Sequence, residues 1–428
     1  MAADRLAGRA ATLLVLVNFG LSRLAAFGVV LVVARTLERD LAGTFLFITG
    51  LAALGAIVAP LGINTAAAYY YQRNVGRNRR HRNRQILRVA ALLAVPACLV
   101  ISLFALTVAE IREGGDFAIV YAILVLCMLF ATARQIARGF LLAEGHRASS
   151  ALHESLIYNG LLLALLPLAP PALMPLLGVL LVASAISGVA ALLVADRSAG
   201  GGTVPGAAFP PLRYGAAILA LSLPSMVAQG GALILNRIDV LLIGPLAGPA
   251  DIADFNVVFR LTYLVSSVPE LLVYVMGPRL MQRSAAAAPV AADLTRSIVL
   301  SSAIVLAVSL PLLVFPGQIL ELLFGPSYGH LGPTLVVLLA GKMLTAAFGP
   351  AVILFTSLGL NRRLARVAIL AAVVDIALGL ALIPRWGAFG AAIATTVALA
   401  ILAANYSWLT WSLARGRLAR APRAGSAA

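Results

Sequence analysis

Lysine occurs once in the 428 residues, as Lys342, and cysteine only twice. Both cysteines, Cys98 and Cys127, sit in apolar runs, which excludes a disulfide framework and a thiolate metal cluster. Charge of either sign is scarce: charged residues make up 11% of the chain, against roughly 25% in a soluble domain. That scarcity, together with 61% apolar residues and a mean hydropathy of +1.00, is more oil than a water-soluble globule can hide. Intrinsic disorder, which needs low hydrophobicity and dense charge, is excluded by the same numbers. Nucleotide and zinc motifs are missing too. Gly341-Lys342 is followed by Met343 and has no glycine five residues before Gly341, so it is not a phosphate-binding loop. His153-Glu154 continues as Ser155-Leu156-Ile157, without the second histidine of a zinc-protease helix. No cofactor and no metal are expected.

What is present is a polytopic membrane protein. A hydrocarbon core of about 30 Å takes roughly 20 mostly apolar residues per helix. Twelve stretches qualify. They run near 10–34, 41–63, 86–109, 117–140, 151–168 and 172–195, then 214–243, 252–277, 297–315, 334–358, 367–383 and 388–413. The first stretch is too long for a signal-peptide core and carries Asn18 and Arg23, so it is expected to be retained.

The 32 basic residues outnumber 16 acids, for a net charge of +16. In a soluble protein this would point to nucleic acid. Here the basic residues mark topology. With the N-terminus in the cytoplasm, 24 arginines fall on that side, and only Arg35, Arg39, Arg112 and Arg385 on the other. An N-in, C-in orientation follows, with no nucleic-acid partner. The basic loop from Arg73 to Arg88 is a topology determinant first, and a candidate site for anionic lipids or a partner enzyme second.

The glycine-rich segment 198–213 is the expected linker, dividing a six-helix bundle at 1–197 from a second at 214–414, with a basic cytoplasmic tail at 415–428. Faint self-similarity suggests duplication. The fifth span places Asn159 mid-helix and ends near Pro167, and the eleventh places Asp375 mid-helix and ends at Pro384. Six spans per half put both halves in the same orientation, a parallel pseudo-two-fold repeat suited to two bundles rocking about a central site.

Four basic groups remain inside spans: Arg23, Arg237, Arg260 and Lys342. The acids in comparable positions are Asp239, Glu270 and Asp375, with Glu154 a further candidate. Each such charge at mid-bilayer costs on the order of 2.5–3.5 kcal/mol, so they should face one another or a wet cavity between the bundles. Arg237 and Asp239, two residues apart, diverge by about 200° on a helix and are not an i,i+4 pair. Glu270 follows Pro269 and is placed to satisfy backbone groups freed by a kink. A cationic cavity repels cationic drugs and attracts phosphate or pyrophosphate, which arginine's planar fork grips in bidentate pairs. Arg23 and Arg260, supported by Arg237 and Lys342, are therefore the candidate substrate-binding residues. Asp239, Asp375 and Glu270 are candidates for coupling or gating, although for Asp375 a purely structural hydrogen bond in helix packing stands equally open.

Several runs carry a family resemblance. These are Arg35-Thr36-Leu37, Ala42-Gly43-Thr44-Phe45, Pro60-Leu61-Gly62 with the tyrosines at 69 to 71, and Arg237-Ile238-Asp239 before Gly244. Further on come Leu323-Phe324-Gly325-Pro326-Ser327-Tyr328 and the run from Ile383 through Pro384, Gly387 and Gly390 to Thr395. Together they resemble polysaccharide-biosynthesis membrane proteins of the multidrug/oligosaccharidyl-lipid/polysaccharide exporter superfamily. The resemblance implies a pair of six-helix bundles in the bacterial inner membrane. It also implies flipping of an undecaprenyl-pyrophosphate-linked oligosaccharide or polysaccharide precursor, such as one for O-antigen or exopolysaccharide. The partners it implies are that polyprenyl-linked saccharide, membrane lipids and other glycan-assembly membrane proteins. A multidrug exporter of the same fold is the first alternative. A membrane enzyme of glycan assembly is the second, disfavoured because no extracytoplasmic segment is long enough for a catalytic site.

Overall fold

The computed structural model describes residues 2–59, 88, 91–103, 117–143, 149–150, 152–198, 238–285, 291–358 and 360–415. All regular structure among them is helical, and the described part of each of the twelve expected stretches contains helix. The helices are α1 (Ala2–Thr36), α2 (Arg39–Val58), α3 (Ala91–Leu103), α4 (Phe117–Ala143), α5 (Ile157–Leu165) and α6 (Leu173–Ser198). They continue with α7 (Ile238–Ala247), α8 (Pro249–Ala285), α9 (Ala291–Val314), α10 (Pro316–Phe324), α11 (Gly332–Ala346) and α12 (Gly349–Ser357). The last continuous stretch, Asn361–Ala414, would be roughly 80 Å long at about 1.5 Å per residue, far more than one bilayer crossing. It is two helices, α13 (361–386) and α14 (388–414). Pro384 lacks the amide for the helical ladder, and Gly387 takes φ 51°, a left-handed conformation that glycine adopts without strain.

Seven described helical segments are long and apolar enough to cross a membrane, Arg362–Ala414 being one of them, and three shorter ones are comparably apolar. Their outward faces are greasy. Leu92, Val100, Leu168, Val299 and Leu322 are all more than 60% exposed, which lipid tolerates and water does not. The protein is a multi-pass membrane protein.

Two compact units divide the described residues. The first holds α1 to α6 together with Gly248–Ala253; the second holds α7 and everything from Asp254 onward. Residues 248–253, expected with the second bundle, thus group with the first. The expected linker lies outside the described residues apart from Ser198, and so does the tail beyond Arg415.

Within the first unit α4 packs along α6 and α2. Small residues let the backbones close. A methyl group on Gly188 would sit 2.7 Å from the Phe130 carbonyl oxygen, and one on Gly55 would collide with Met128. A π-helical turn, Leu152–Leu156, opens α5 and packs on α1.

In the second unit the tenth span, expected as one helix over 334–358, is broken between α11 and α12. Pro350 cannot donate its amide, and its ring clashes with the preceding turn. The segment between the ninth and tenth spans carries α10 and a 3-10 turn, Pro326–Leu331. Gly325, at φ 111°, ends α10 and donates its amide to the Glu321 carbonyl at 2.9 Å. His330 Nε2 of that turn lies 3.5 Å from Asp254 Oδ2 at the start of α8.

Helices α11 and α14 approach closely in this unit. The Thr396 hydroxyl donates to the Val337 carbonyl at 2.9 Å, and a Cβ on Gly341 would stand 2.9 Å from Thr396 Cα. Replacing Gly341 by leucine should force these helices apart at a cost of about 1–3 kcal/mol. The checking measurement is the thermal midpoint in detergent, which should fall for Gly341→Leu. An unchanged midpoint would show that the contact is not tight.

Candidate functional site

Three of the ionisable residues picked out in the sequence converge in the second unit: Asp239 on α7, Lys342 on α11 and Asp375 on α13. Asp239 and Asp375 are each 1% exposed and Lys342 is 6% exposed, inside helices of otherwise apolar composition. The three lie within electrostatic reach of one another, each carboxylate attracted by the ammonium and Asp375 repelled by Asp239. Two carboxyl groups and one amine therefore share a buried, weakly polarisable region.

The hydrogen bonding around the acids is incomplete. Thr395 Oγ1, on α14, donates to Asp239 Oδ2 at 2.9 Å and lies equally close to the Ala391 carbonyl, so its single proton serves one oxygen at a time. Asp239 Oδ1 and both oxygens of Asp375 have no hydrogen-bond partner among the described residues. A carboxylate buried this deeply is ordinarily satisfied, so these three oxygens stand out among the described residues. The donors are all oxygen, which suits a hard cation and not a transition metal.

Local sequence explains the assembly. Gly341, next to Lys342 on α11, permits α14 to close on that helix. The Lys342 ammonium stands 4.9 Å from the ring centroid of Phe259. That ring is the middle of a stacked ladder on α8, Phe255–Phe259–Tyr263, with spacings of 5.9 and 5.8 Å set by the i,i+4 repeat. Neither Thr395 nor Phe259 was singled out in the sequence. The available signal for Thr395 was a lone hydroxyl pair, Thr395-Thr396, closing an alanine-rich run.

The remaining candidates are dispersed. Arg23, on α1 of the first unit, is half-buried with its guanidinium 4.6 Å from the Phe19 ring. Arg260, on α8 of the second unit, is likewise half-buried, one residue beyond Phe259. Arg237 lies outside the described residues, and Glu270 is on the described backbone of α8 with its side chain outside them. Arg134 and Arg138, counted with the cytoplasmic arginines, are on α4. Arg134 Nη1 donates to Ser187 on α6 at 3.0 Å while its guanidinium stands 4.6 Å from the Tyr158 ring of α5. Arg134 thereby ties α4 to α5 and α6. Asn159, the counterpart expected for Asp375, is also buried.

A helical membrane protein that encloses ionisable groups within its spans belongs with the polytopic proteins whose interiors handle polar cargo or ions. The chain belongs to the polysaccharide biosynthesis protein family, whose pattern matches residues 8–284, more than half of its length. No curated protein sequence matches it significantly. Among solved structures it is similar to the lipid II flippase MurJ in an inward closed conformation, with a TM-score of 0.72 and 14% identity, over 93% of this chain and 87% of that one. It is also similar to an inward-facing multidrug resistance MATE family transporter of the MOP superfamily, with a TM-score of 0.65 and 16% identity, over 95% and 100% of the two chains. A MATE crystal structure in complex with MaL6 follows at a TM-score of 0.55 and 17% identity, over 95% and 97%. The fold is shared with these proteins.

Replacing Thr395 by valine keeps its shape and removes the hydroxyl that serves Asp239. That should destabilise the protein by about 1–3 kcal/mol, whereas serine should spare it. Thermal midpoints of the two variants check this, and equal midpoints would contradict it.

Proposed function

We propose that this protein flips an undecaprenyl-pyrophosphate-linked oligosaccharide or polysaccharide precursor across the bacterial inner membrane by alternating access, with both termini cytoplasmic. Membership of the polysaccharide biosynthesis protein family carries the reading. The intramembrane arginines support it, because their chemistry suits a pyrophosphate head and not a cationic drug. The saccharide and pyrophosphate cross through the protein while the polyprenyl tail stays in lipid. No bond is made or broken in the cargo, so the protein is a transporter and not an enzyme.

In this reading Arg23 and Arg260 grip the pyrophosphate, and Arg237 adds charge on the same lipid head. The buried acids do a different job. Asp239 and Asp375, with Thr395, hold a monovalent cation, Na+ or a proton, whose binding and release drive the cycle. The bare carboxylate oxygens support that assignment.

The test is reconstitution of purified protein into vesicles, following arrival of a lipid-linked saccharide in the opposite leaflet with a membrane-impermeant saccharide-cleaving enzyme. Changing Arg23 and Arg260 together to alanine should slow flipping by about 100-fold or more, since two charge-assisted contacts are lost. The thermal midpoint should stay near that of the parent. Flipping at the parental rate by the folded double variant would overturn the assignment, and efflux of cationic dyes in place of lipid transfer would favour the multidrug alternative.

A further inference from the structure

We infer that the start of α13 and the end of α14 together form a binding site for one anionic phospholipid, with its phosphate held by Arg363 and an acyl chain lying along the exposed face of α13. The inference stands apart from the flipping reading, because this lipid is a bound partner and not cargo. Charge is the first argument. After Glu321 the sequence holds a single acid, Asp375. Arg362, Arg363 and Arg366 lie at the start of α13, and Arg415 follows α14, with Arg417, Arg420 and Arg423 beyond it in the sequence. Asp375 is nine residues from Arg366, about 13 Å along a helix, too far to pair with it. Among the described residues none of the four arginines at these helix ends is in an ion pair. Basic clusters at the end of a membrane helix attract anionic headgroups.

Geometry turns this charge into a site. Helices α13 and α14 pack through Ala371, Ala372, Ala398, Leu399 and Leu402. At their ends Arg363 Nε donates to Asn405 Oδ1 at 3.2 Å, and its guanidinium stands 3.8 Å from the Trp408 ring centroid. Asn405 is only 8% exposed, so this anchor is fixed in the packing. Held on one edge and one face, the guanidinium keeps its Nη donors for a phosphate, in the planar fork that grips two oxygens at once. Arg415 repeats the arrangement, 4.1 Å from the ring of Trp411, which lies one turn beyond Trp408 on α14. Both tryptophans are exposed, as tryptophans at a membrane interface are. Arg366, Ile369, Leu370 and Val373, at i, i+3, i+4 and i+7, share one exposed face of α13. That face presents charge at the helix start and bare hydrocarbon beyond it, the order of head and acyl chain in a lipid.

Native mass spectrometry and thermal midpoints of the purified full chain in detergent, with added phosphatidylglycerol, test the site. The parent should retain one tightly bound phosphatidylglycerol and gain stability from it. Phosphatidylcholine and inorganic phosphate at the same concentration should do neither. Arg363→Gln should bind phosphatidylglycerol at least about tenfold more weakly. Arg363→Lys should weaken with it, because a point charge loses both the fork and the stack. Arg423→Gln, with the same change in net charge, should behave as the parent does. Parental affinity in Arg363→Gln overturns the inference. So does an equal loss in Arg423→Gln, which would mean diffuse attraction to a basic tail. Equal protection by phosphatidylcholine or by inorganic phosphate overturns it as well. Should Arg363→Gln lose stability without lipid, Arg415→Gln at the exposed end of α14 decides instead, with weakened affinity expected and parental affinity overturning the site.

Discussion

The cost of placing charge inside a hydrocarbon layer constrains everything else in this molecule. A buried carboxylate without solvent must find donors, a countercharge or a ligand. In the second unit two carboxylates meet one ammonium and one hydroxyl, and four helices are arranged to bring them together. Gly341 removes the side chain that would hold α11 away from α14. Gly387 and Pro384 turn the chain between α13 and α14, so Asp375 and Thr395 come from neighbouring antiparallel helices. The polar group is small, but the apolar architecture around it is shaped by its needs.

Most of the fold was legible in the sequence, because long apolar runs leave little choice of structure in lipid. Where described, the twelve expected stretches are mostly helical, the tenth with a break. The misjudged details are ones that hydropathy cannot encode. The break in the tenth span comes from Pro350, whose effect is on backbone hydrogen bonding and not on polarity. The α10 helix between spans nine and ten falls outside the expected spans because it is only nine residues long.

The site was half legible. Asp239, Asp375 and Lys342 stand out because ionisable residues are rare in such segments, and rarity is a sequence property. Their convergence is not, since they lie on three helices separated by as much as 136 positions from Asp239 to Asp375. Lys342 therefore grouped with the arginines by charge, whereas the fold groups it with the acids by position. Thr395 and Phe259 were passed over because hydroxyls and aromatic rings are ordinary in membrane helices. Only proximity gives them a part. The arginines Arg23 and Arg260 belong to separate units, and their shared role is a matter of chemistry proposed for the cargo.

If buried acids convert an ion gradient into lipid movement, the gradient must control the rate. Vesicles carrying the unaltered protein, a lipid-linked saccharide and either an imposed Na+ gradient or an imposed pH gradient provide the most direct measurement. Flipping should accelerate with one of the two gradients and reverse its preferred direction when that gradient is reversed. Transfer of the lipid at one rate under both gradients and under none would contradict the account.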